Sequence, residues 1–264
     1  MFGLFRREPL FDEVTTEWLL HVFAWSLEQV EDHLFFSETP LVLPTEAFFP
    51  GRADSVQGMA ELIFSQVSRY AGMAHWPWVV VDGAQPLLFS GGLLSAKMEL
   101  RREMGGSALA TAAAERLPVP YDPALVRTPE ALIAGFAHTL AHYRLARVAA
   151  PLPGGEENRP HIEELVGVFF GFGVMFANSA YVAPARSCGS CAVPQRSGYL
   201  SQHHLSYALA LFCQLKEIPV RQVLPHLKPS LRGYFKRAVR EVAGYAPRLA
   251  RSAPNPSATA LSGR

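Results

Sequence analysis

The chain is predicted to fold as an α+β protein in which helices predominate and the sheet is small. Three observations carry this prediction. Apolar residues recur at three- and four-residue spacing through most of the sequence, the periodicity of a helix with one buried face. The β-type runs are short, chiefly Val79–Asp82 and Leu87–Ser90. Hydrophobic residues make up 49% of 264 residues against 18% charged, which suits a folded core and excludes a disordered or collagenous chain.

The first helix is expected from Thr15 to His33, where Trp18, Leu19, Val22, Phe23, Trp25, Leu27 and Val30 share a face and Thr15 or Thr16 can cap the start. Pro40, Pro44 and Pro50 punctuate an extended segment holding Leu41–Leu43. Asp54 or Ser55 opens a second helix through Met59, Leu62, Ile63, Val67 and Tyr70, ending near Gly72. Val79–Asp82 and Leu87–Ser90, separated by Gly83–Pro86, read as a hairpin. The Ala-rich stretch from Gly105 to Pro118 reads as helix or connector, and Leu117–Tyr121 as extended chain.

Thr128-Pro129-Glu130 is a helix start with Pro at the first helical position, followed by Leu132, Ile133, Phe136, Leu140, Tyr143 and Leu145 at helical spacing. A turn from Pro151 to Pro160 leads into an apolar helix beginning near His161, which makes the two helices packing neighbours. The most apolar window, Val166–Ala180, is shorter than the ~20 residues of a spanning helix and is read as a core helix. Ser201 caps a further helix through Leu205, Ala208, Leu209, Leu211, Phe212 and Leu215, stopped near Pro219. An amphipathic helix runs from Pro229 to Val242, and residues 246–264, rich in Pro, Ala and Ser, read as a disordered tail after a single domain spanning 1–245.

With 24 Lys+Arg and 23 Asp+Glu, the net charge of +1 creates no whole-molecule field toward nucleic acid or an anionic membrane, and neither is expected as a partner. Three cysteines, Cys188, Cys191 and Cys213, do not make a secreted disulfide framework. Arg6, Arg7 and Glu8 precede any long apolar run, so a signal peptide is not read and a cytoplasmic location is expected.

The most informative string is Phe136-Ala137-His138-Thr139-Leu140-Ala141-His142-Tyr143. Imidazoles at i and i+4 lie one above the other on a helix face, a spacing that suits two ligands of one metal ion. In H-E-x-x-H the residue after the first histidine is the glutamate that takes a proton from metal-bound water. Thr139 holds that position here, and a hydroxyl without an accessible acidic pKa cannot serve as that base. A third ligand is needed for a firmly held ion, and Glu164 or Glu163, across the Pro151–Pro160 turn, can supply it. His161 is a candidate substitute ligand, an outer partner or an alternative base, and Glu163 is the other weak candidate for a base.

The stretch from Thr128 through Asn178, with LIAGFAHTLAHYRL and then EELVGVFFGFGVMFANSAY, resembles a group of uncharacterised bacterial zincin-like proteins. Their histidine helix reads A-H-E-L-A-H-Y and their next helix ends G-F-G-x-x-x-A-N. LPTEAFFPG and YALALF also look like parts of that group, so the likeness spans most of residues 14–242, with its specific part around the histidines. The resemblance implies a minimal zincin-like core and a zinc site of His138, His142 and Glu164. The departure at Thr139 implies a metallopeptidase-like pseudoenzyme that acts by binding a peptide or protein.

Two other readings stay open on the residues: an active zinc-dependent hydrolase with a non-standard base, and a non-metal interaction protein. The latter would use the basic helix bearing Lys228, Arg232, Lys236, Arg237 and Arg240, which otherwise reads as a solvated face. Two histidines hydrogen-bonded to a carboxylate in a packed interior would explain the same string without metal. Cys188-Gly189-Ser190-Cys191 has no second C-x-x-C, and the adjacent His203 and His204 do not complete a zinc site, so these thiols read as incidental. Gly167, Gly171 and Gly173 lie in an apolar helix and not after a strand, which favours close helix packing over phosphate binding. Trp76 and Trp78 read as core anchors.

Overall fold

Asp12 starts the first helix: its carboxylate accepts the Thr15 amide at 2.7 Å, so α1 runs Glu13–Gln29, two residues earlier than Thr15 as the opening residue. In the computed structural model, which describes residues 8–30, 32–83, 102–103, 116–182, 195–196 and 198–252, a short α2 (Asp32–Ser37) follows. The predicted helix to His33 is thus two helices broken near Val30. The cap at Ser55 matches expectation, its hydroxyl accepting the Gly58 amide at the start of α3 (Val56–Tyr70).

The strand β1 (Trp78–Asp82) pairs in parallel with β2 (Leu117–Tyr121), Val80 opposite Val119. A parallel partner is reached only by a long crossover, so this pairing cannot be read from a nearby turn, and the expected hairpin rests on residues beyond the described ones. Leu87–Ser90 and most of Gly105–Pro118 lie outside the described residues. β2 continues through a 3₁₀ turn at Pro123–Arg127 into α4 (Pro129–Leu145). Pro129 stands at the start of α4 as the sequence predicts, although the Thr128 hydroxyl donates to the Leu125 carbonyl and leaves the helix without a side-chain cap.

The apolar segment after the Pro151–Pro160 turn is buried, as expected, but it is not one rod. α5 (Arg159–Gly167) passes through a wide π-type turn, Val168–Phe172, into α6 (Gly173–Ser179). Gly171 takes φ 98°, and a Cβ there would run into the Pro40 carbonyl, whose neighbour Val42 donates its amide to the Gly171 carbonyl at 3.0 Å. The glycine therefore lets the extended Pro40–Val42 chain lie against the bend. Gly167 and Gly173 give room to Phe176 and Leu209, the close packing the sequence suggests. Among the described residues, Glu156–Ser179 is the one helical segment long and apolar enough to cross a membrane, and its apolar window is 94% buried inside the fold.

β3 (Tyr181–Val182) and β4 (Gln195–Arg196) form a two-residue antiparallel pair. Ser201 caps α7 (Gln202–Leu215) by accepting the His204 amide; a one-turn α8 (Val220–Val223) and α9 (Pro229–Val242) follow. α9 has the predicted limits. Ala246–Ser252 form α10 where a tail is expected, because Ala246 and Leu249 find burial beside α1 and α7.

The result is an α+β fold, predominantly helical, with a small parallel sheet at one side. One continuous apolar cluster extends from Leu19 to Leu249; within it Phe35 stacks on Phe169 and meets Phe212 edge-on, and α4, α6, α7 and α9 pack in succession. Trp76 is 2% exposed and stacks on Trp78, whose indole donates to the Met73 carbonyl, so the tryptophans are anchors. Asn178 ties the layers together: its amide donates to Glu130 and the His226 carbonyl and accepts the Lys228 amide.

Candidate metal centre on α4 and α5

Leu132, Ile133, Phe136, Ala137, Leu140 and Ala141 bury one side of α4. His138 and His142, one turn apart, are left at the edge of that side, facing α5. From α5 comes Glu163, whose carboxylate stands between the imidazoles. Its Oε2 lies 3.0 Å from Nε2 of His138 and its Oε1 2.8 Å from Nδ1 of His142. The carboxylate is almost fully buried, His138 is about two-thirds buried and His142 is open to solvent on one side.

The two contacts are not equivalent. His142 Nδ1 and Glu163 share a hydrogen bond, whereas His138 Nε2 is buried and has no hydrogen-bonding geometry despite its short distance. The electrostatics follow. Burial pushes His138 below the ordinary histidine range, against the attraction of Glu163. The hydrogen bond to Glu163 lifts His142 above it, against burial and the nearby Arg159. The hydrogen bond thus favours the charged form of His142 and burial the neutral form of His138, whose buried Nε2 is without a hydrogen bond.

Glu164, the acid that the family resemblance matches to a ligand, points elsewhere. Its oxygens accept the backbone amides of Tyr199 at 2.9 Å and Leu200 at 2.7 Å. Consecutive helix residues are about 100° apart, so when Glu163 faces α4 its neighbour must face another element. The site thus brings together His138, His142 and Glu163, and Glu164 stands outside the contact.

Thr139 donates its hydroxyl to the Gly135 carbonyl one turn back at 3.1 Å. His161 also stands apart, its ring edge-on to Trp18 and Tyr199 and its Nδ1 buried without a hydrogen bond. Tyr199 lies near both His138 of the centre and the outlying His161, its ring centroid 6.2 Å from that of His138 and 5.8 Å from that of His161. Sequence reading missed Tyr199; the signal was the Gly198-Tyr199-Leu200 turn preceding the Ser201 cap, which nothing local connects to α5.

Cys188 and Cys191 lie outside the described residues, and Cys213 is buried. His203 packs on Tyr234 and His204 stacks on Phe11, so both serve the α7–α9 region. Lys236, Arg237 and Arg240 are exposed on α9 and Lys228 just before it, while Arg232 donates to the Leu227 and Pro225 carbonyls.

Atoms about 2.1 Å from a tetrahedral ion stand about 3.4 Å apart. The contacts at 2.8 and 3.0 Å are shorter than that, so the three donors would have to move apart to take an ion. Among the described residues no group of three or more His, Cys, Asp or Glu side chains has the arrangement of a metal site. The donor set is nevertheless a chemically suitable one for zinc, two imidazoles and a carboxylate, and it includes an unsatisfied buried nitrogen. Comparison of the chain with family models, with curated proteins and with solved structures finds no match.

Proposed function

We propose that the protein is a degenerate zincin-like, metallopeptidase-like pseudoenzyme that takes a zinc ion between His138, His142 and Glu163 and acts by binding a peptide or protein ligand. The observation that carries this reading is the placement of a buried carboxylate within 3.0 Å of both imidazoles of an i, i+4 pair, with one imidazole nitrogen left unsatisfied. Glu163 replaces Glu164 as the third ligand of the proposal. A bound zinc would supply Lewis acidity toward a ligand carbonyl or carboxylate. The chain's own residues position the centre: α4 and α5 carry the donors, and the core at the buried Ala137 and Ala141 closes the inner side of α4.

Turnover is not part of the proposal, because the residue in the general-base position is Thr139, whose hydroxyl is already bonded to its own helix. Glu163 is engaged with both imidazoles, and His161 is packed with Trp18 and Tyr199, so neither is a free base beside the centre. A cytoplasmic location belongs to the same proposal and is supported by the sparse cysteines.

A second reading is favoured by the His142–Glu163 hydrogen bond: the three side chains tie α4 to α5 without any metal. Metal analysis separates the two. The zinc reading expects about one zinc per chain after purification without chelators, lost in both His138→Ala and Glu163→Ala. A metal-free protein that takes up no zinc on titration overturns it in favour of the tie.

A further inference from the structure

Glu164 is 5% exposed and holds two successive backbone amides, Tyr199 at 2.9 Å and Leu200 at 2.7 Å. A buried carboxylate without such donors would be costly, so these bonds fix the turn strongly to α5. Gly198 belongs to the same arrangement: a Cβ at that position would collide with Oε1 of Glu164, so only glycine lets the turn wrap this closely. The anchored turn carries Tyr199, which is 51% exposed although its ring lies beside His138 and His161. An aromatic ring left half in solvent, on a segment fastened by a buried carboxyl group, is poorly explained by core packing alone.

We propose that Glu164 is a positioning residue: together with Gly198 it fastens the 198–200 turn so that Tyr199 stands as an aromatic cover on the His138 side of the centre and limits access to that imidazole. The neighbouring glutamates divide the work. Glu163 contacts the histidines, and Glu164 sets what an incoming ligand must pass. The inference deepens the reading of this centre as a ligand site, but its geometry belongs to the metal-free protein and is tested there.

The readout is the rate at which diethyl pyrocarbonate modifies His138 in the intact, metal-free chain at fixed pH, mapped by mass spectrometry. Tyr199→Ala is expected to raise that rate at least about threefold while leaving exchange of the Tyr199 and Leu200 amides slow. Glu164→Gln, which removes one acceptor oxygen, is expected to raise both the His138 rate and the exchange of those amides. Tyr199→Phe is expected to restore the parental rate. Gly198→Ala provides the same test from the other partner if Glu164→Gln does not fold. Unchanged His138 reactivity in Tyr199→Ala, or fast modification in Tyr199→Phe, overturns the cover. Unchanged amide exchange in both Glu164→Gln and Gly198→Ala overturns the fastening. Zinc uptake plays no part in these outcomes, so failure of the metal reading is seen separately.

Discussion

Glu163 Oε1 and His142 Nδ1 lie 2.8 Å apart, joined by a hydrogen bond that links α4 to α5 directly. The bond raises the His142 pKa while burial lowers that of His138 one turn away. Two histidines four residues apart on the same helix are thereby made to titrate in opposite directions from the ordinary value.

For the metal-free protein this sets a sign. A histidine whose folded pKa is raised adds stability that is complete below its unfolded pKa, about 6.5, and is lost as pH rises through the folded value. His142 is expected to add such a term and Glu163→Gln to abolish it. Because the imidazole is more than half exposed, the term is small, below about 1 kcal/mol. NMR titration of the imidazole protons should give His142 the higher pKa and His138 the lower. The reverse order would contradict the described hydrogen bond.

Zinc loading should show the opposite pH trend. A metal competes with protons for both imidazoles, so affinity is expected to fall as pH is lowered, with His142 the more easily protonated ligand. Calorimetric titration with zinc between pH 8 and pH 5.5 measures this directly. An affinity that stays flat over that range would place the ion elsewhere.

Restoring the base tests the history of the site. Thr139→Glu gives up a bond to the Gly135 carbonyl and places a carboxylate beside His138. In the zinc-loaded variant, peptide-library hydrolysis is expected to rise by about 10² or more over the parent, the lower end of what a general base contributes. Equal activity in the two proteins would favour another base.

Backbone geometry at Gly171 predicts a large stability loss. Alanine there must hold a left-handed conformation and meet the Pro40 carbonyl. Gly171→Ala is expected to cost about 3 kcal/mol or more by denaturant unfolding, combining strain with overpacking. A loss under about 1 kcal/mol would mean that the bend relaxes easily.

The Cys213 thiol is 1% exposed, and burial pushes its pKa up to about 12. It is expected to resist iodoacetamide in the native protein at pH 8 and to react once the protein is unfolded, as peptide mapping would record. Rapid native labelling at Cys213 would show that the α7 region opens locally.

Much of the helical frame is legible in the sequence because caps and apolar spacing are local signals. Ser55, Pro129, Ser201 and the run from Pro229 to Val242 mark helices that form where expected. The partner of β1 is not legible, since a parallel strand thirty-odd residues away leaves no turn signature. The histidine pair is evident, yet the choice between Glu163 and Glu164 depends on how α5 rotates against α4, which a pair of identical adjacent residues does not encode. The bend at Gly171 is similarly hidden: its cause, the Pro40 carbonyl, is distant in the chain.

The segment Glu156–Ser179 owes its quiet behaviour to its neighbours, because its apolar window is 94% enclosed by the rest of the fold. Peeling α7 away would expose part of this apolar segment to solvent, the kind of surface that makes partly unfolded chains prone to aggregate. The integrity of the α6–α7 contact thus decides more than thermodynamic stability. It keeps the greasiest part of the molecule from seeking a home outside it.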